Sequence, residues 1–389
     1  SSDVARANKL ICNIDLVTDN SLTTAERAQY KAEAKIFRAM VMFDMVRLWG
    51  DFPVITTVAD DITSENIDEV YPQYFPKQNT ELEAYQQIEK DLLDAVLYAP
   101  DNTPGNKTLF SKSVARTLLA KIYAEKPLRD YTKVIQYCDE VKEDGFDLVD
   151  DFSDLFGMNA AGTDAKMRNT KESILEAQFT SGAGNWCTWM FGRDLVNWNN
   201  NFTWAKWVTP SRDLISAFKQ EGDEVRFKES IVYYDCNWSN YYPSDNYPFM
   251  YKCRSANSSI IKYRYADVLL LKAEALIMQD TPDLEGAADI IDEVRDRAKL
   301  GALPTSVRSN KNAMLNALLK ERRLELAFEG QRWFDLVRLD KVEEVMNAVY
   351  AKDSGRKAQI YTFDKNSYRL PIPQSVIDAN DKIHQNPGY

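Results

Sequence analysis

The chain of 389 residues is 44% hydrophobic, which is enough for a full core, and carries a net charge of −11 at neutral pH. That charge argues against a nucleic-acid-binding surface, since such surfaces present a basic face to phosphates. No run of about 18 apolar residues occurs, so the sequence offers no candidate for a membrane-spanning helix. The start, SSDVARANKL, is polar and helical and lacks a signal-peptide pattern, although a processed exported chain would begin in the same way.

The first half of the chain shows helical periodicity. In TTAERAQYKAEAKIFRAMVMFDMVRLWG, Thr23 or Thr24 can cap a helix that Gly50 ends. Apolar residues recur along this helix every three or four positions, which predicts a buried stripe. The members of the stripe are Ala34, Phe37, Val41, Met45 and Leu48. A further helix is expected from about Glu81 to Tyr98, before Pro100.

Three later segments are predicted to form pairs of antiparallel helices. They are SVARTLLAKIYAEKPLRDYTKVIQYCDEVKEDG, KYRYADVLLLKAEALIMQDTPDLEGAADIIDEVRDRAKLG and MLNALLKERRLELAFEGQRWFDLVRLDKVEEVM. Their turns fall near Pro127, Pro282 and Gly330, and small residues such as Ala115 alternate with large ones such as Leu119. That alternation lets two helices approach closely, as in tetratricopeptide hairpins. With the pair that ends at Gly50, about four hairpins are expected.

The middle of the chain differs in character, because helical periodicity mostly fails there. Six of the eight tryptophans lie between Trp186 and Trp238, and SILEAQF and ESIVYYD are predicted to form short strands. The sequence therefore predicts a mostly α protein in which a helical-repeat scaffold carries an irregular insertion. The expected parts are a first scaffold segment at 1–143, an aromatic-rich ligand-binding insertion at 144–258, a second scaffold segment at 259–350 and a carboxyl-terminal loop at 351–389 packed on the scaffold.

The cysteine and histidine content limits the chemistry. Five cysteines form no C-x-x-C motif, so a disulfide scaffold is not expected, and only a bridge between Cys236 and Cys253 stays open. His384 is the only histidine, which excludes a His-based triad or a His-ligated metal centre. No cofactor is expected; a structural Ca²⁺ bound by carboxylates is an option in acidic loops such as DFSDLFG.

Five segments, in order along the chain, resemble the SusD/RagB family of surface nutrient-binding lipoproteins of Bacteroidetes. They are AEAKIFRAMVMFDMVRLWGDFPVIT, TPSRDLISAFKQEGDEVRF, IKYRYADVLLLKAEAL, ERRLELAFEGQRWFDLVR and YRLPIPQSVIDANDKIHQNPGY. The last has the Pro-Ile-Pro and Gln-Asn-Pro-Gly-Tyr elements of the family's ending. We interpret that ending as a stiff loop laid across the repeats, holding them to the insertion.

The resemblance implies a non-enzymatic protein at the cell surface that captures oligosaccharides or polysaccharides. It implies a place in the outer membrane through a lipid anchor and delivery of the ligand to a SusC-like TonB-dependent transporter. The family's lipobox cysteine, and several tens of residues that normally precede the first motif, are missing from this sequence. The anchor is therefore not present in this chain, and any ligand contacts from that segment are missing as well.

The aromatic-rich insertion is the expected carbohydrate site. Sugar rings present apolar C–H patches to flat aromatic faces, and their hydroxyls need amide or carboxylate partners. The expected binding residues are Trp186, Trp189, Trp198, Asn199, Asn200, Trp204, Trp207, Trp238, Tyr241, Tyr242 and, from VYPQYFPKQN, Tyr74. The alternative for any one of these rings is packing in an irregular core.

Other functions stay open at this point. A peptide-binding RagB-like uptake protein would have a cleft with backbone partners and few exposed indoles, and a pure docking scaffold would bury the tryptophan-rich insertion throughout. A glycoside hydrolase would need two carboxylates across a sugar, and Glu321 and Glu325 share one helix face. The neighbouring arginines favour ion pairs between helices instead.

Overall fold

The computed structural model describes residues 1–180, 184–185, 209–236, 241–353 and 362–389. Within these ranges, the α-helices are α1 (Ser2–Asn13), α2 (Thr24–Trp49), α3 (Ile67–Val70), α4 (Glu81–Tyr98), α5 (Lys112–Ala124), α6 (Tyr131–Glu143), α7 (Ser153–Phe156), α8 (Arg212–Glu221), α9 (Glu224–Ser230), α10 (Tyr265–Met278), α11 (Leu284–Arg297), α12 (Thr305–Arg308), α13 (Lys311–Glu325), α14 (Arg332–Arg338), α15 (Val342–Lys352) and α16 (Gln374–Ala379). The strands are β1 (Ser173–Ala177), β2 (Ile231–Tyr234), β3 (Tyr247–Met250) and β4 (Ile260–Arg264). The predicted mostly α fold is confirmed.

The chain folds into two compact units. Unit 1 comprises residues 1–102, 109–140 and 363–389, and unit 2 comprises residues 103–108 and 141–362. The four-part division expected from the sequence partitions the chain differently and stays a prediction.

The long helices of unit 1 begin at reciprocal caps. At α2, the Glu26 amide donates to Thr23 Oγ1 over 3.2 Å, and the Thr23 amide donates to the Glu26 carboxylate over 2.8 Å. Thr80 and Glu83 form the same arrangement at α4. Each pair satisfies two backbone donors that a helix start leaves unpaired. Gly50 ends α2 at a φ of +71°, a conformation that strains residues with a Cβ atom.

The prediction of which face of α2 is buried is wrong by part of a helical turn. Its members are only half-buried, whereas the fully buried residues of α2 are Ala32, Ile36, Arg38, Ala39, Met42, Phe43, Val46 and Arg47. The neighbouring face is buried instead, because α2 packs against both α1 and α4. That face also carries Arg38, whose charge has an ion-pair partner. Arg38 donates to both Asp91 carboxylate oxygens over 2.8 and 2.6 Å, so a charge is tolerated inside.

The predicted helix pairs are present. In α5 and α6, the rings of Tyr123 and Tyr137 stack with centroids 5.9 Å apart. Helix α11, which packs on α10, is capped by the Asp283 side chain, and α13 turns into α14 at Gly330 with a φ of +75°. The fold is therefore tetratricopeptide-like, as the small-and-large alternation predicted.

The region assigned no helix contains short regular elements of both kinds. The predicted strands occur: β1 pairs antiparallel with β4, and β2 pairs antiparallel with β3, with Val232 opposite Phe249. Helices α8 and α9, however, correct the expectation. Helix α8 is capped by Ser211 and closed by Gly222 at a φ of +70°, and both helices are too short to show a clear period.

A buried ion network holds unit 2 together, and Glu325 on α13 is its centre. Its carboxylate accepts hydrogen bonds from Arg226 over 3.0 Å and from Arg264 over 2.5 Å, and it also pairs with Arg297. Burial raises the pKa of Glu325, but these three guanidinium groups outweigh burial and hold its pKa well below the usual range. Glu172 joins the network through Arg264 and Arg297.

The carboxyl-terminal loop is part of unit 1, and its amide side chains attach it to the rest of that unit. Asn386 Nδ2 donates to the carbonyl of Trp49 over 2.9 Å, and Asn380 Nδ2 donates to the carbonyl of Pro76 over 2.8 Å. The hydroxyl of Tyr389 donates to a backbone carbonyl of the same loop over 3.0 Å. These bonds hold the loop in unit 1, while the predicted link to the insertion stays a prediction.

Two smaller expectations change. No disulfide joins Cys236 and Cys253, so the bridge left open between them is not formed. In the acidic loop considered for Ca²⁺, Asp151 and Asp154 bind Lys166 over 2.9 and 2.7 Å, and the described ranges hold no His, Cys, Asp and Glu group suited to a metal ion.

Among the described residues, no helix is both long and apolar enough to cross a membrane.

Replacing Glu325 by Gln tests the network. The exchange leaves three buried guanidinium groups without their shared anion, so we expect about 3–5 kcal/mol less stability at pH 7 in denaturant unfolding. Because the folded pKa is depressed, the wild-type advantage is fully present above the unfolded pKa of about 4.3 and shrinks as the pH falls below it.

Glu285→Gln is the matched control, since its ion pair with Arg308 lies at the surface, with the glutamate side chain 70% exposed. It should move the unfolding midpoint far less. Equal effects of the two exchanges would contradict a central role for Glu325.

Candidate functional site

Most of the residues expected to bind carbohydrate lie outside the described ranges. They are Trp186, Trp189, Trp198, Asn199, Asn200, Trp204, Trp207 and Trp238. The structure describes Tyr241 and Tyr242 in unit 2 and Tyr74 in unit 1.

Tyr241 and Tyr242 stand just before β3, in a set of perpendicular aromatic rings. The Tyr242 ring meets Tyr241 edge-on at a centroid distance of 4.8 Å and meets Tyr247 at 5.5 Å. Its hydroxyl donates to the carbonyl of Pro210 over 2.7 Å. Burial, followed by the neighbouring Tyr241, raises the Tyr242 pKa well above its ordinary value, so this hydroxyl stays protonated and remains a donor.

Arg212, at the start of α8, ties these tyrosines to the end of α15. Its Nη1 donates to Asp353 Oδ1 over 2.7 Å, and the Tyr241 hydroxyl donates to Asp353 Oδ2 over 2.5 Å. The guanidinium carbon lies 3.9 Å from the centroid of the Tyr241 ring, and Nη2 donates to the Tyr241 carbonyl. We call Arg212, Tyr241 and Asp353 the clamp. It joins three places that are distant in sequence, and the side chain of Asp353 is only 7% exposed.

A cleft of about 480 Å³ opens beside the clamp. Its lining consists of Arg212, Ile215, Ser216, Lys219, Gln220, Tyr233, Tyr242, Pro243 and Asn246. Two half-buried tyrosine rings supply flat apolar area, and the exposed side of α8 supplies hydroxyl, amide and ammonium groups. A cleft of this size with apolar walls and a few polar groups is typical of a small-ligand site.

Tyr74 belongs to a different cleft, which is made of unit 1 residues only. This cleft has a volume of about 810 Å³, and its lining is mostly apolar, with Trp49, Phe52 and Phe75 among its residues. The Tyr74 hydroxyl donates to the carbonyl of Asp60 over 3.0 Å, and the residue is 49% exposed.

Asn185, which directly precedes the tryptophan-rich segment, is held in place by hydrogen bonds. Its structural role was not predicted from the sequence. Asn185 is fully buried; its amide donates to the Ala256 carbonyl over 2.6 Å, and its side chain donates to the Ser258 carbonyl over 2.9 Å. The same side chain reaches Cys253 Sγ at 3.2 Å. The residue just before position 186 therefore has a defined place in unit 2.

The residues of α8 that line the cleft were also not predicted from the sequence. Arg212, Ser216, Lys219 and Gln220 follow the spacing i, i+4, i+7, i+8, which places them on one helix face. That spacing was readable in the sequence, but ten residues give a weak helical signal, and the opposing tyrosines come from a separate hairpin.

The carboxylate pair considered for glycoside hydrolysis is not accessible. Glu321 is 1% exposed and Glu325 is fully buried, and Glu321 Oε1 accepts from Arg226 over 2.5 Å. Both carboxylates serve the ion network, so the structural interpretation of the arginine-rich helix pair holds.

Two family models match separate parts of this chain. Residues 245–389 match the model described as "SusD family", and residues 2–124 match the model described as "Starch-binding associating with outer membrane". Together they cover more than half of the sequence.

Curated and solved relatives extend the likeness to nearly the whole chain. SusD-like protein P2 of Formosa agariphila is 28% identical over 99% of this chain and 78% of its own length. Starch-binding protein SusD of Bacteroides thetaiotaomicron is 24% identical over 97% of this chain and 76% of its own. The structure of surface glycan-binding protein A from Bacteroides thetaiotaomicron, in complex with laminarihexaose, superposes with a TM-score of 0.75 at 20% identity, over 98% of this chain and 83% of that one.

A double-mutant cycle measures the strength of the clamp. We expect Arg212→Gln and Asp353→Asn to couple by about 1 kcal/mol in unfolding free energy, because the arginine is partly exposed while the aspartate is buried. The same cycle on the surface pair Lys341 and Glu344 is the control and should give less coupling. Additivity within about 0.3 kcal/mol at the clamp would show that it does not stabilise this site.

Proposed function

Because this chain belongs to the SusD/RagB family, whose members are binding proteins rather than catalysts, we propose that it captures glycan oligomers or polymers without cleaving them. The cleft between α8 and the β2–β3 hairpin is the described part of the proposed site. Its two tyrosine rings suit the C–H faces of a pyranose, and its amide and hydroxyl groups suit sugar hydroxyls. This pairing of flat aromatic area with exposed polar groups is the observation that carries the proposal.

The tryptophan-rich segment between Asn185 and Thr209 extends this proposal. Its five tryptophans and neighbouring asparagines supply the same two kinds of group, and Trp198, which three asparagines follow, is the first candidate. Support comes from the two ends of the segment. Asn185 is pinned inside unit 2, and Pro210 accepts the hydroxyl of Tyr242, which lines the cleft.

The proposed setting is the cell surface. The amino-terminal family model is described by association with the outer membrane, which supports a protein held there by a lipid anchor. In that position the protein would pass its ligand to a SusC-like TonB-dependent transporter. Moderate affinity suits this transfer, since exposed stacking contributes on the order of 1 kcal/mol per ring.

Binding to a glycan array, set against a peptide library, is the first test. We expect glycans to bind and peptides not to bind. Selective capture of peptides would replace the proposal by the peptide-uptake alternative, and a rise in reducing sugar during incubation with polysaccharides would contradict a purely binding role.

Ring substitutions then locate the site by calorimetry. Tyr233→Ala should weaken binding of the selected glycan about fivefold to tenfold, the equivalent of about 1 kcal/mol, while Tyr233→Phe keeps the ring and the affinity. Trp198→Ala and Trp198→Phe make the same comparison in the tryptophan-rich segment. If an alanine variant keeps its melting temperature and its affinity, that residue is not part of the site.

A further inference from the structure

The charged residues that the structure describes in the lining of the α8 cleft are all cationic, although the protein is acidic. Among the described residues of the lining, Arg212 and Lys219 are the only charged ones and none is aspartate or glutamate, whereas the whole chain has a net charge of −11. An anionic ligand in contact with these described residues is therefore not repelled by a carboxylate from among them.

The carboxylates around the cleft are mostly paired elsewhere. Asp353 binds Arg212 on the side of the clamp, and Asp213 pairs with Arg323 over 2.6 Å. Glu221, at the end of α8, pairs with Arg295 over 2.7 Å and also with Lys320. Asp245 lies in the exposed turn before β3 but does not line the cleft.

The two cations offer different things to a ligand. Asp353 compensates the charge of Arg212 and holds its guanidinium in place, which leaves the Nε–H without a hydrogen-bond partner among the described residues. Lys219 is exposed and, within the same described part of the chain, forms no ion pair, so its ammonium is the uncompensated charge of the cleft. A fixed directional donor and a mobile ammonium together suit an anionic group on a saccharide.

Resting on the proposed function, we infer that this cleft prefers acidic saccharides, those that carry a carboxylate or a sulfate, over neutral glucans. The tyrosine rings take the sugar faces, the amide of Asn246 takes hydroxyls, and Lys219 takes the anion. A neutral glycan would use the first two contacts only and would leave the ammonium solvated.

Calorimetry with the whole chain and three hexasaccharides tests this inference. An oligogalacturonate and a sulfated carrageenan oligomer are compared with laminarihexaose. At least one acidic oligomer should bind about tenfold more tightly than the neutral one at low ionic strength, and this advantage should shrink at high salt, because salt screens an exposed charge pair. Whether the carboxylated or the sulfated oligomer binds more tightly identifies the anion.

Charge variants provide the residue-level test. Lys219→Met keeps the aliphatic length and should weaken binding of the acidic oligomer about fivefold while leaving the neutral oligomer unchanged; Lys219→Arg should restore it. Lys228→Met, an exposed change on α9 away from the lining, is the matched control and should have no effect.

The outcomes separate the two proposals. Equal affinity for acidic and neutral oligomers would overturn the acidic preference and leave glycan binding standing. The same holds if the Lys219→Met variant binds both oligomers with the affinities of the wild type. Absence of binding to every glycan overturns the preference and the proposed function together.

Discussion

Unit 2 depends on keeping one carboxylate charged in its interior. Glu325 can stay ionised there only because three guanidinium groups surround it, and each comes from a different element of the fold: Arg226 from α9, Arg264 from β4 and Arg297 from α11. The desolvation of these ions is offset only while all partners are in place, so each element constrains the others. Helix α9 directly follows α8, which lines the cleft. By fixing α9, the network therefore also helps to position α8 and the cleft.

Much of the helical fold was readable from the sequence because its signals are local. Caps at Thr23 and Asp283, and the glycine turns at Gly50 and Gly330, mark helix ends within a few residues. Periodicity was less informative about which face is buried. Helix α2 packs on two sides, so two adjacent stripes are apolar, and the choice between them depends on a partner 53 positions from Arg38, namely Asp91.

The candidate site was only partly predictable, for a similar reason. Composition located the aromatic-rich region, and Tyr241 and Tyr242 within it, because tryptophan, tyrosine and asparagine cluster visibly in the sequence. Asp353 contacts Arg212 and Tyr241 across separations of 141 and 112 positions, and no local pattern encodes a contact of that range. The lining residues of α8 have a helical spacing that the sequence shows. That they line a cleft follows only from the position of the β2–β3 hairpin, which the sequence does not give.

The discontinuity of unit 1 has a consequence for biosynthesis. Residues 363–389 close over α2 and the segment around Pro76, yet the ribosome makes them after every residue of unit 2. Unit 1 therefore cannot close until this last segment has been made, and until then the surface around Trp49 stays uncovered. Apolar surface exposed during folding in this way makes an incomplete unit 1 prone to aggregation.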